Sequence, residues 1–251
     1  MAGTFNNTRL QRMRVNDIGT GPWPRIAGVL YLVTIASGVF AEVFVRGSVI
    51  VRDDAAATAM NIIANESWYR LGLAADLVML VCYVVVTGIF YYLFMPGGRV
   101  LSLVAAFFSL IGIAVLAANS INHFAPLVLL SGQTYLMAFD VAELQAAART
   151  LLRFHGAGYT ISNVFFGIYC ITIGYLVFRS QLVPRVIGVL MTLGGVSFIG
   201  SSFLTFLAPT VATAVPDIAL LGGLGELSLT LWLIGAGVRP FDLIETTDDL
   251  E

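Results

Sequence analysis

At 251 residues, 58% of them hydrophobic and only 11% charged, with a mean hydropathy of +0.90, the chain is far more apolar than a soluble domain, which carries roughly 25% charged residues. It belongs in a membrane, where six helices of about 20 residues would take up roughly 120 positions and leave no room for a large separate soluble domain. The formal charge of −2, with all 13 cations arginine, supplies no basic field, so nucleic acid is disfavoured and the lipid bilayer is the expected partner.

In chain order, residues 1–24 form a tail carrying Arg9, Arg12 and Arg14, and the first apolar run follows at 25–45. Val39, Phe40 and Ala41 loosely resemble a signal cleavage site, but the long polar lead-in favours a retained span. Asp53 or Asp54 then caps a short helix through Ala64. Runs at 68–95 and 100–124 give the second and third spans. Beyond them, Asp140 with Glu143 three residues on makes a capping-box start for a helix over 140–153. There Leu144, Ala148, Leu151 and Leu152 line one face, opposite Glu143, Gln145 and Arg149, which predicts a short amphipathic helix on the outer membrane surface. Runs at 156–178, 185–207 and 217–238 complete six spans, and an acidic tail over 239–251 is solvated. The expected fold is therefore all-α: a polytopic six-helix bundle over 25–238 between two cytoplasmic tails.

The orientation rests on arginine. With the N-terminus inside, the inner segments hold Arg9, Arg12, Arg14, Arg25, Arg99, Arg179, Arg185 and Arg239, against Arg46, Arg52, Arg70, Arg149 and Arg153 outside. That bias places both termini in the cytoplasm. Three odd-numbered spans also open alike, PRIAGVL at 24–30, GRVLSLV at 98–104 and PRVIGVL at 184–190. They are consistent with three helical hairpins of one orientation, although arginine followed by apolar residues recurs wherever spans begin on the inner side.

Polar residues inside the runs are the candidate site. Asp76 and Glu226 lie about nine or ten residues from the outer ends of their spans, roughly 14 Å deep, with Asn163 at nearly the same level. A carboxyl at that depth is costly against lipid, so these side chains should face the bundle and meet partners, Asn163 bonding at least one of them. Asn119 and His123 close span three, while His155 and Tyr159 open span four. Together, Asp76, Asn119, His123, His155, Tyr159, Asn163 and Glu226 make a buried polar layer or an outward-opening ligand pocket. Asp76→Leu and Glu226→Leu are expected to impair function more than folding.

Catalysis has no visible signature: no Ser/His/Asp or Cys/His set stands at suggestive spacing, and Cys82 and Cys170 read as buried apolar residues. Imidazole and carboxylate suit zinc, but there is no HExxH, and His123 and His155 read as interfacial residues nearer the surface than Asp76 and Glu226. No residue is assigned to a metal. Haem ligation by the two histidines would require their rings to face each other across a gap. The leading function is handling of a small or hydrophobic ligand or solute through the polar pocket, with a membrane-embedded metal-assisted hydrolase as the alternative; the cofactor is open.

The strings RIAGVLYL, AEVFVRGSVIV followed by DDAAATAMNIIANE, YRLGLAADLVML, NHFAPLVLLSG, FHGAGY, LVPRVIGVL and GELSLTLWLI occur in that order between Arg25 and Val238. Their ordered series resembles the bacterial integral membrane proteins of domain-of-unknown-function family 4386. The resemblance implies a polytopic inner-membrane protein and carries no chemistry.

Overall fold

The computed structural model describes residues 21–214 and 219–238, and among these residues the chain is helical with no strand. The expected tails over 239–251 and most of 1–24 lie outside the described residues. Helix α1 (Trp23–Val39) continues through a π-helical segment (Phe40–Arg46) and a final α turn (Gly47–Val49). After it come α2 (Ala55–Ala64), α3 (Glu66–Phe94), α4 (Arg99–Leu129), α5 (Val141–Ser180), α6 (Arg185–Leu207), α7 (Pro209–Ala214) and α8 (Leu220–Gly235).

Among the described residues, five helices are long and apolar enough to cross a bilayer: Trp23–Val49, Glu66–Gly97, Arg99–Leu129, Val141–Ser180 and Arg185–Leu207. Helix α8 is apolar and shorter, at 16 residues, directly after the undescribed 215–218. The protein is thus an all-α polytopic membrane protein. The wide exposure of large apolar side chains, such as Val81, Val100 and Leu193, is what a lipid-facing surface requires.

Local chemistry sets the helix ends. Asp54 caps α2 by accepting from the Ala57 amide at 2.8 Å, one of the two caps expected. At α5 the Asp140 amide donates to Glu143 Oε2 at 3.1 Å, the reciprocal half of a capping box. The amphipathic stretch over 140–153 is helical, but it is not a separate element: it forms the first turns of the 40-residue α5. No proline interrupts the passage from Arg153 to Phe154, so the backbone bonds run on. At 1.5 Å per residue such a helix is about 60 Å long, twice the hydrocarbon thickness, and its amphipathic beginning projects beyond the span.

Contacts divide the chain into two compact units. Unit 1 comprises residues 1–32, 83–112 and 163–251, and unit 2 comprises 33–82 and 113–162. Within unit 1, helices approach through glycine: a Cβ on Gly225 would lie 2.7 Å from the Leu190 carbonyl oxygen, and one on Gly194 3.0 Å from Gly222 Cα. These glycines serve close packing of helices, with backbone against backbone. Within unit 2, Val49, Ile62, Tyr69, Leu127 and Leu152 form a buried apolar cluster beside the polar centre.

A buried ion pair and two imidazoles

Unit 2 gathers one polar side chain after another from four helical segments. Arg46 ends the π-helical segment and is 3% exposed. π segments are rare and commonly mark places where a side chain is re-aimed. Here the re-aimed group is a guanidinium inside an apolar unit. Its approach to α3 depends on Gly72, where a Cβ would come within 2.7 Å of Val45. One helical turn further on stands Asp76. Arg46 NH1 donates to Asp76 Oδ2 at 2.6 Å and NH2 to Oδ1 at 3.3 Å, while Nε donates to Glu42 Oε2 at 2.7 Å. Tyr159 completes the surround: its hydroxyl donates to Asp76 Oδ1 at 3.2 Å, and its ring lies 5.6 Å from the guanidinium carbon.

From α4, His123 places Nδ1 2.8 Å from Asp76 Oδ2 and 3.1 Å from Arg46 NH1. A carboxylate can only accept, so the shorter contact puts the proton on Nδ1; the longer one follows from two donors converging on a single oxygen. Tyr69 holds the same residue from α3, its hydroxyl donating to the His123 carbonyl at 2.6 Å with the two rings edge to face. His155 from α5 sits with its ring centroid 5.1 Å from that of His123. Its Nδ1 is 3.3 Å from the Asn119 carbonyl oxygen, and Asn119 Nδ2 donates to the His155 carbonyl at 2.8 Å. Asn122 fixes the other end of that amide, donating to Asn119 Oδ1 at 2.9 Å. Gly158 makes the arrangement fit, because a Cβ there would overlap the Asn119 side chain.

Both histidines are buried, and Nε2 of each has no hydrogen-bond partner among the described residues. This differs from the expectation of interfacial histidines. Helices α4 and α5 extend past the apolar runs, to Leu129 and back to Val141, so residues that close or open a run in sequence lie one or more turns inside a helix. The two rings are in contact at an inclination of 56°, which leaves no plane between them for a porphyrin.

Glu226 belongs to unit 1 and has different company. Tyr31 and Tyr83 donate their hydroxyls to Glu226 Oε1 at 2.6 and 3.0 Å, and Cys170 Sγ lies 3.8 Å away. Phe166 stacks on Tyr83 at 4.9 Å. Asn163 is half-buried in the same unit and is not among the partners of Glu226; those of Asp76 are Arg46, His123 and Tyr159. The expected hydrogen bond from the Asn163 side-chain amide to a carboxyl is therefore not found among the described residues. An apolar cavity of about 570 Å³ in unit 1 is lined by Trp23, Val85, Gly88, Ile89 and Tyr92 and includes none of the expected site residues.

Of the seven candidate residues, the structure brings Asp76, Asn119, His123, His155 and Tyr159 together in unit 2 and leaves Asn163 and Glu226 in unit 1. Arg46 was legible only as one of the outer charges, although the apolar Val49, Ile50 and Val51 beyond it signal that its helix continues. Tyr31, Tyr69 and Tyr83 were missed as tyrosines within apolar runs, each with a hydroxyl to satisfy. The ion pair also corrects the expectation for Asp76→Leu, since a leucine would strip a buried guanidinium of its main partner.

No curated protein matches this chain, and no solved structure matches it. The model of the family described as Domain of unknown function (DUF4386) matches residues 26–237, nearly the whole helical region just described, and the chain belongs to that family.

Proposed function

We propose that the protein handles a small ligand or solute at the buried polar centre of unit 2, as a multi-pass protein of the bacterial cell membrane with both termini in the cytoplasm. One observation carries the reading: two buried imidazoles leave Nε2 unpartnered beside Asp76. An unsatisfied buried ring nitrogen costs about 1–3 kcal/mol, and folding alone would be served better by apolar side chains. A ligand that meets both rings recovers that cost. The test is thermal unfolding of the purified protein in detergent against amino acids, polyamines, nucleosides, sugars and divalent cations. At least one is expected to raise the midpoint in the parent and not in the His123→Gln/His155→Gln double variant; no such difference with any of them would overturn the reading. The arginine bias supports the orientation, and a reporter fused after Glu251 should be active only in the cytoplasm.

Metal-assisted hydrolysis is the second reading, and the Asp76–His123 pair favours it. A carboxylate that holds Nδ1–H orients the ring and aims the Nε2 lone pair, which would hold the metal ion that activates water. Turnover of a panel of esters and amides, abolished by His123→Gln, would support it; no turnover in the parent would sink it.

A further inference from the structure

We infer that His123 and His155, with Asp76 orienting the first ring from behind, bind a divalent transition-metal cation of the zinc class, an inference that rests on reading the unit 2 centre as a ligand site. One ring nitrogen from each histidine and one oxygen of Asp76 lie within 4.8 Å of one another, and all three residues are buried. Imidazole nitrogen is the donor that suits zinc and its neighbours, whereas calcium and magnesium demand oxygen.

The surroundings supply what such a site needs around its ligands. A ligating imidazole commonly donates its second ring N–H to a carboxylate or a backbone carbonyl, which fixes the tautomer and aims the free lone pair. His123 Nδ1 faces Asp76 Oδ2 at 2.8 Å; His155 Nδ1 lies 3.3 Å from both the Asn119 backbone carbonyl oxygen and the Asn119 side-chain Nδ2, and that Nδ2 already donates to the His155 carbonyl at 2.8 Å. With the protons on those nitrogens, each Nε2 presents a lone pair, and these are the two atoms left without partners. Tyr69 and Asn122 then hold the outer layer through the His123 carbonyl and the Asn119 side chain.

Arg46 is the objection to a second cation. Its guanidinium is bound by two carboxylates, Glu42 and Asp76, so these three ionic groups leave one net negative charge beside the two rings. A divalent cation is attracted to that charge, and Asp76 can be shared between the guanidinium and the metal-oriented imidazole. Tetrahedral zinc with bonds of about 2.0–2.1 Å sets its ligand atoms about 3.3 Å apart, and the two imidazoles are neighbours, with ring centroids 5.1 Å apart. Water completes the coordination.

The test uses the full-length protein in detergent, freed of any polyhistidine tag, stripped with a chelator and desalted. Zinc is expected to bind at about one equivalent and to raise the thermal midpoint, and cobalt(II) to give the visible bands of a nitrogen-ligated ion of low coordination number. His155→Gln should weaken binding by at least ~10-fold, and Asn119→Ala, which removes the side chain's bond to the His155 carbonyl but keeps the backbone oxygen that faces His155 Nδ1, by less. Glu226→Gln should bind as the parent does. Because a variant can fail to fold, the cobalt spectrum of the parent is decisive by itself: no bound ion, or a hexa-aquo-like spectrum, overturns the inference. Zinc binding that survives unchanged in His123→Gln/His155→Gln overturns it too. If another solute stabilises the protein through the histidines while zinc and cobalt do not, the metal inference fails and the ligand reading stands; if neither does, both fail.

Discussion

Each unit of this protein encloses a carboxyl group within its helices, Asp76 buried and Glu226 half-buried, and the two are kept in opposite ways. Asp76 in unit 2 is met by a guanidinium, an imidazole and a phenol, in a network that is ionic at its centre. Glu226 in unit 1 is met by two phenols and a thiol, with no cation among its partners. The difference lies in what each removal leaves behind. Deleting Asp76 strands a buried charge, whereas deleting the charge of Glu226 leaves neutral donors that can turn toward one another, as the 3.5 Å approach of the Tyr31 and Tyr83 hydroxyls already permits. Compensation decides the cost of a change in an apolar medium, more than depth does.

The largest effect should therefore come from Asp76→Leu. It leaves Arg46, 3% exposed, with the exposed Glu42 as its only carboxylate, and breaking a buried pair in this way costs about 3–5 kcal/mol. Removing both charges as Arg46→Met/Asp76→Leu should be less damaging than Asp76→Leu alone, measured by unfolding in mixed detergent micelles. A double variant that is less stable than the single would show that the pair is not what holds unit 2. Gly158→Ala comes next, because the new methyl group displaces the Asn119 amide from His155. Overpacking of this kind costs about 1–3 kcal/mol, and the same change should remove ligand-dependent stabilisation at the histidines.

The sequence made one of these centres more legible than the other. Apolar run lengths located every span-length helix, because hydrocarbon thickness imposes a length that composition alone reveals. Asp76, His123 and His155 stood out as polar residues in apolar company. Their convergence did not, since the runs 100–124 and 156–178 understate α4 and α5 and so put both histidines at span ends. Arg46 was hidden for a related reason: arginine near the end of a run reads as a topological charge, and nothing local announces the π-helical segment that buries it. Gly72 and Gly158 carry no chemistry of their own, and only the neighbouring helix shows why a Cβ is excluded.

For unit 1 the comparison predicts a small effect. Glu226→Gln keeps a carbonyl oxygen for Tyr31 and Tyr83 and removes only the ionisable group, so the stability change should stay within about 1 kcal/mol. A loss as large as that of Asp76→Leu would mean that Glu226 has an ionic role its partners do not reveal.

The smallest effect isolates burial from charge pairing. Glu66 and Arg70 are joined at 2.7 Å across one turn of α3, the same distance and the same i,i+4 spacing as Glu42 and Arg46. Their side chains are 54% and 55% exposed, however, whereas Arg46 is almost wholly enclosed. Water screens the exposed pair and solvates whichever partner is left, so Glu66→Ala should cost about 0.3–0.5 kcal/mol. Set beside Asp76→Leu in the same micelles, this variant asks whether an ion pair in this protein matters because it exists or because of where it is. A near-equal loss from the two would refute the burial argument, since pair geometry alone would then account for both; a gap of several-fold assigns the stability of unit 2 to the low-polarity enclosure around Arg46 and Asp76.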